Sequence, residues 1–203
     1  VCFVLGLHRM NSPATARNGN LLSAGGMVVA VLATLVSLVA RDGGLDAIAW
    51  AIILVGFAVG GGVGLYTARS VQMTEMPQLV SLFNAVGGGA AALVAIEDFL
   101  KLTGAAGAPV STTVFIVLDV AIGAVTFTGS LIASGKLMGI ISGKPIIFPG
   151  SRILTAVLAV LAVAGTAILV LGAAGTLTLD ATVSVLVLGL ILASALVFGV
   201  TMV

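Results

Sequence analysis

The chain has 203 residues, 60% of them hydrophobic and only 7% charged, where an ordinary soluble domain carries about 25% charged residues. With a mean hydropathy of +1.32 it is predicted to be an integral membrane protein, and a soluble globular fold is excluded. A net charge of +1 with no basic cluster argues against nucleic-acid binding, and the single cysteine, Cys2, excludes an internal disulfide or a multi-cysteine metal site.

In chain order, Val1 to Leu7 reads as the end of a truncated spanning helix, and His8 to Asn20 as a polar loop with Arg9 and Arg17. Helices are predicted at Leu21–Ala40 and Ala47–Ala68, joined by the turn RDGGLD. The next helix, Thr74–Asp98, contains no charged side chain over the 18 residues from Leu79 to Ile96. That is about the minimum run that spans a ~30 Å hydrocarbon core at ~1.5 Å per residue. Thr74 is placed to cap this helix, Pro77 is tolerated in its first turn, and Glu75 sits at the positive end of its dipole. A loop over Glu97–Ser111 leads into Thr112–Ser134. The loop GKLMGIISGKPIIFPGSR follows, and Ile153–Ala174 and Ala181–Val203 complete the set. The predicted fold is all-α, a polytopic transmembrane helical bundle of six full spans and one partial span, with residues 1–203 forming one transmembrane domain. Apolar runs at both ends suggest a piece of a longer protein.

Charge asymmetry predicts orientation. Alternate loops carry Arg9, Arg17, Arg69, Lys136, Lys144 and Arg152 against the single acid Glu75; the intervening loops carry Arg41 and Lys101 against Asp42, Asp46, Glu97, Asp98 and Asp180. Positive residues favour the inner side of a membrane, so the first set is predicted to lie there. Trp50 and Tyr66, near opposite ends of one helix, read as interfacial anchors, and His8 as an interfacial residue beside Arg9.

Gly56, Gly60 and Gly64 recur every four residues, and Gly87 to Gly89 fall inside an apolar span. Small residues at this spacing let helices approach closely in lipid. Neither cluster has the spacing or the preceding strand of a dinucleotide-binding fingerprint.

Two strongly polar groups lie well within spans, Asn84 and Asp119. Ser81, Asn84 and Gly88 share one helical face by i, i+3, i+7 spacing; Asp119 shares another with Gly123, Thr126 and Ser130. A buried acid in hydrocarbon is costly unless it is paired or solvated. Asp119 therefore reads either as a structural hydrogen-bonding group or as part of a proton or ion path, and Asn84 either as interhelical glue or as part of the same path. No nucleophile–base pair, metal constellation or phosphate loop is evident, so these residues alone lead to a polytopic protein with a polar path. Two readings besides a coupled enzyme remain: a stand-alone secondary transporter or channel, for which no inverted repeat is evident, and a structural membrane anchor subunit.

Three segments carry a resemblance: VQMTEMPQLVSLFNAVGG, GAVTFTGSLIASGKLMG (Gly123 to Gly139) and SGKPIIFPG (Ser142 to Gly150), with ARNGN in the first inner loop. Over essentially the whole chain the sequence resembles the membrane domain of proton-translocating nicotinamide nucleotide (NAD(P)) transhydrogenase, in its beta subunit or the matching part of single-chain forms. The resemblance implies a proton-conducting part of an enzyme that couples hydride transfer from NADH to NADP+ to proton movement across a bacterial inner membrane or the mitochondrial inner membrane. It implies no cofactor and no hydride-transfer site in this chain, since NAD(H) and NADP(H) bind associated soluble domains, the NADP(H) domain being C-terminal to the membrane part. The partners it implies are the lipid bilayer, alpha subunits with transmembrane helices, and a dimer of multi-subunit protomers. On the polar positions of this sequence itself we expect Asn84, Ser81, Asp119, Thr126 and Ser130 to line the proton pathway, and the inner loops with Arg69, Lys136, Lys144 and Arg152 to dock the soluble domain. In many relatives a histidine stands at the position of Asn84, and a neutral residue at that of Asp119.

Overall fold

The computed structural model describes residues 1–40, 45–103, 109–144 and 149–203. Most of the predicted RDGGLD turn, part of the loop before α5, and Pro145 to Phe148 of the SGKPIIFPG motif lie outside the described residues. Among the described residues seven α-helices follow in order: α1 (Cys2–Met10), α2 (Pro13–Val39), α3 (Ala47–Ser70), α4 (Met76–Thr103), α5 (Val110–Leu137), α6 (Ser151–Ala173) and α7 (Ala181–Thr201), with a 3-10 turn (Met73–Glu75) before α4. Among the described residues six helices, α2 to α7, are long and apolar enough to cross a membrane. The protein is an all-α transmembrane bundle.

Three boundaries differ from the sequence expectation. The polar segment His8 to Asn20 is largely helical: α1 runs through His8 and Arg9, and α2 starts at Pro13. Pro13 occupies the first helical turn, where its missing N–H is not needed, and Ser12 before it is extended (φ −126°, ψ 135°). Polar residues alone do not break a helix. The second difference is the cap before α4. Gln72 and Glu75 bond reciprocally across the 3-10 turn, with the Gln72 N–H donating to Glu75 Oε2 at 3.4 Å, so Gln72 and not Thr74 is the cap. Third, α4 continues past Asp98 to Thr103. Phe99 is buried there, and Lys101 pairs with Glu97 one turn back on the exposed side.

The chain divides into two compact units, Val1–Ser70 and Val71–Val203. Within the first, α1 and α2 form a tight hairpin. A methyl group added at Gly19 would lie 2.6 Å from the Gly6 carbonyl oxygen, and one at Gly6 would lie 2.9 Å from the Gly19 oxygen. The two backbones touch, and only glycine fits at both positions.

In the second unit α5 is the central helix. α4, α6 and α7 all pack against it, α7 also touches α4 and α6, and α4 and α6 do not approach each other. Ala95 and Phe99 of α4, Val117 and Val120 of α5, Leu169 of α6, and Leu188 and Ile191 of α7 form one buried cluster. It fills the half of the unit near the α4–α5 connection. The other half of the α4–α5 seam is held by hydrogen bonds.

Candidate functional site

Glycines set the closeness of the α4–α5 seam. A Cβ built at Gly123 would sit 2.7 Å from the Gly88 carbonyl oxygen and 2.8 Å from the Ala92 nitrogen; one built at Gly88 would sit 2.8 Å from Thr126 Cβ. Thr126 thus lies over Gly88, and the helices pass backbone to backbone at mid-span. One turn along, this proximity lets short polar side chains reach across. Asn84 Nδ2 donates to Ser130 Oγ at 2.7 Å, Ser81 Oγ donates to the Ser130 carbonyl oxygen at 2.8 Å, and Ser134 Oγ donates to the Gln78 carbonyl oxygen at 3.0 Å. The two helices run antiparallel, so these bonds stack along the seam toward the C-terminal end of α5.

The burial of the cluster is graded. Ser134 is buried, Ser81 and Ser130 are half-buried, and Asn84 is exposed at the edge of the seam. Because the Ser130 hydroxyl accepts from Asn84, its own proton is free to be donated onward. Asn84 makes this one side-chain hydrogen bond among the described residues, which leaves its second amide N–H and its carbonyl oxygen available. An amide has no proton to exchange near neutral pH, but with one donor and one acceptor free it can order water against the two serines. A file of hydroxyls and water is a route along which protons can pass.

Of the residues expected on the pathway, the structure joins Ser81, Asn84 and Ser130 by hydrogen bonds and places Thr126 beside them over Gly88. Asp119 is set apart. It lies 11 residues before Ser130 on α5, about 16 Å along the helix axis, and is exposed, whereas Gly123 one turn later is buried against α4. The buried row of α5 at this level is Thr113, Val117, Val120 and Ala124, fixed by the apolar cluster, and Asp119 lies off it. The bond between Ser134 and the Gln78 carbonyl lies outside the residues expected from the sequence. Its signal was present, since Gln78 is three residues before Ser81 and Ser134 four after Ser130, which extends the same two faces.

Thr128 makes the equivalent link on the other side of α5, donating to the Leu196 carbonyl oxygen at 2.8 Å. A Cβ at Gly199 would come within 2.6 Å of the Val125 oxygen, so α7 packs as closely on α5 as α4 does.

The basic residues divide between the units. Lys136 closes α5, Lys144 lies in the connection that follows, and Arg152 opens α6, with Lys136 Nζ donating to the Lys144 carbonyl oxygen at 3.5 Å. These three share one end of the second unit. Arg69 lies in the last turn of α3, in the first unit.

Gly56, Gly60 and Gly64 of α3 and Gly87 to Gly89 of α4 fall within continuous helix, where backbone N–H groups are already bonded in the helix, and neither cluster follows a strand.

Comparison with known proteins agrees with this architecture. The family model for the NAD(P) transhydrogenase beta subunit matches residues 1–203. Two curated proteins, both NAD(P) transhydrogenase subunit beta from Rhodospirillum rubrum, are each 42% identical over 154 residues, which is 73% of this chain and 32% of theirs. The chain thus spans about a third of the length of the curated relatives it matches. A family match over the whole chain, on a transmembrane bundle of this kind, shows that the chain belongs to the family of NAD(P) transhydrogenase beta subunits.

Proposed function

We propose that this chain is the membrane-embedded, proton-conducting part of an NAD(P) transhydrogenase, in which proton movement across the membrane is coupled to hydride transfer from NADH to NADP+. The hydride step belongs to soluble domains outside these residues, which hold NAD(H) and NADP(H); the NADP(H) domain follows the membrane part in the same polypeptide. Alpha subunits contribute further transmembrane helices, two such assemblies form a dimer, and the bacterial inner membrane is the location.

The observation that carries this reading is the hydrogen-bonded group of Ser81, Asn84 and Ser130 at the glycine seam, in which Asn84 is exposed. Asn84 orders water and the serine hydroxyls pass the proton. A titratable group packed against Asn84 from another helix takes the part of the histidine found in many relatives. Thr126 lines the same seam one turn further on. Asp119, about 16 Å along the axis, joins this path only through side chains of other helices.

At the basic end of the second unit, Lys136, Lys144 and Arg152 form a docking surface for the NADP(H) domain, whose nucleotide state decides which side the path opens to; Arg69 of the first unit is a docking residue as well. The exposed positions of Lys144 and Arg152 favour such a role. The test is coupled turnover by the complete complex in sealed vesicles. Wild-type turnover accelerates when a protonophore collapses the gradient; Ser130→Ala is expected to turn over slowly with or without the protonophore. A Ser130→Ala complex with wild-type turnover and normal protonophore response overturns the pathway.

A further inference from the structure

α5 is held from two sides at one level. Thr128 and Ser130 are two residues apart, about 160° around the helix. Ser130 therefore meets Asn84 and Ser81 of α4, while Thr128 turns to α7. Thr128 Oγ1 lies 2.8 Å from the Leu196 carbonyl oxygen and 3.2 Å from the Ala124 carbonyl oxygen of its own helix. A hydroxyl has one proton to donate, and the shorter contact is the one between helices. Gly199 makes it possible: a Cβ built there would run into Thr128 Oγ1 and come within 2.6 Å of the Val125 oxygen. With a side chain at position 199, the Thr128 hydroxyl would fall back on Ala124, the bond that a helical threonine makes within its own helix.

What the interhelical bond adds is a fixed roll of α5. Near the α4–α5 connection, Val117 and Val120 pack with Leu188 and Ile191, and side chains of that size set how two helices turn against each other. Past Val120 the buried residues of α5 are Gly123, Ala124 and Ser134, and past Ile191 those of α7 are Ser194, Ala195 and Gly199. Such small faces let backbones touch but key their rotation weakly. The Thr128–Leu196 bond is directional and stands in this stretch, about 12 Å beyond Val120. The cluster on the α4 side depends on the same rotation. An atom about 4 Å from the helix axis moves about 0.7 Å in a roll of about 10°. That would take the 2.7 Å bond from Asn84 to Ser130 out to about 3.4 Å, near the limit of a hydrogen bond.

We propose that Thr128 is the positioning residue for Ser130. Its bond to α7 holds the roll of α5 at which the Ser130 hydroxyl accepts from Asn84 and the Ser130 carbonyl accepts from Ser81. Thr128 itself passes no proton, because it faces away from the α4 seam. The inference deepens the proton-path reading and rests on it for its effect on turnover.

The test compares Thr128→Val, which keeps the shape and loses the donor, with Thr128→Ser, which keeps the donor, each in the complete complex. The geometry is read with Ser81→Cys and Ser130→Cys in a Cys2→Ala background, as the rate at which the disulfide-linked α4–α5 peptide forms when the membranes are oxidised. Thr128→Val is expected to slow the link about fivefold, the population change that loss of one hydrogen bond gives, and Thr128→Ser to stay within about twofold of Thr128. In complexes that keep Ser81 and Ser130, proton uptake per assembled complex should fall about fivefold in Thr128→Val and recover in Thr128→Ser. An unchanged linking rate in Thr128→Val overturns the proposal. So does a Thr128→Ser complex as defective as Thr128→Val, which would make the methyl group and not the hydroxyl the active part. If Thr128→Val does not assemble, Thr128→Cys, similar in size with a weak donor, is read in its place with the same outcomes; failure of both to assemble marks a packing role and overturns it. A slowed link with wild-type uptake upholds the positioning of Ser130 and counts against its place on the proton path, so the two ideas fail separately.

Discussion

Gly123→Ala is the smallest change that should open the α4–α5 seam. The added methyl carbon would stand 2.7 Å from the Gly88 carbonyl oxygen, 2.8 Å from the Ala92 nitrogen and 3.0 Å from Ala92 Cβ. Two of these are backbone atoms with no rotamer to escape into, so the helices must part by about 0.8 Å to reach ordinary contact at ~3.5 Å. The bonds from Asn84 and Ser81 to Ser130, now 2.7 and 2.8 Å, would lengthen to about 3.5 Å, where a hydrogen bond is nearly lost. With the Ser134–Gln78 bond, three interhelical bonds at ~0.6 kcal/mol each come to about 2 kcal/mol, and residual overpacking adds ~1 kcal/mol or more. Unfolding of the purified complex in mixed micelles should therefore show a loss of about 3 kcal/mol. Coupled turnover should fall with it, and Gly88→Ala should behave alike. A Gly123→Ala complex with unchanged stability and activity would refute the idea that backbone contact at this point holds the cluster together.

Other expectations are as specific. Ser134→Ala removes a buried donor to the Gln78 carbonyl and should cost about 0.6 kcal/mol in the same unfolding assay, with turnover near wild type because Ser134 lies beyond the Asn84 cluster. Asn84→His supplies an exchangeable proton at the same point on the seam and should retain coupled turnover where Asn84→Ala loses it; equal loss in both would count against a proton passing here. Reversing Lys136, Lys144 and Arg152 to Glu should leave hydride exchange by the isolated soluble domains intact while slowing coupled turnover by about tenfold or more, as measured in reconstituted vesicles. Normal coupling would remove the docking role. Gly19→Leu should separate α1 from α2, because its side chain meets the Gly6 carbonyl, and the expected readout is a lower thermal midpoint of the complex.

The spans were legible because apolar length in a bilayer leaves few alternatives, and the half of the site on α4 was legible because Ser81, Asn84 and Gly88 repeat at helical spacing within hydrocarbon. What the spacing could not supply was register between helices. Ser130 pairs with both Ser81 and Asn84 only because Gly88 and Gly123 fix where α4 and α5 cross, and that depends on contacts far apart in sequence. Asp119 shows the same limit. Its helical spacing puts it in line with Gly123, Thr126 and Ser130, but the apolar cluster of Val117, Val120 and Ile191 sets the buried row of α5, and the aspartate is left exposed. Polarity alone reads the segment from His8 to Asn20 as a loop. Its helicity follows from Pro13 starting a helix and from the tight contact of Gly6 with Gly19, which draws α2 against α1 along its first turns.

Proton uptake into vesicles carrying the complete complex, driven by NADPH and an NAD analogue, tests the central claim most directly when wild type is compared with Asn84→Ala and Ser130→Ala. The account predicts that uptake falls about tenfold or more in both variants while the separated soluble domains still exchange hydride at the normal rate. Wild-type uptake in both variants would contradict it and would leave the Ser81, Asn84 and Ser130 group as packing between two helices.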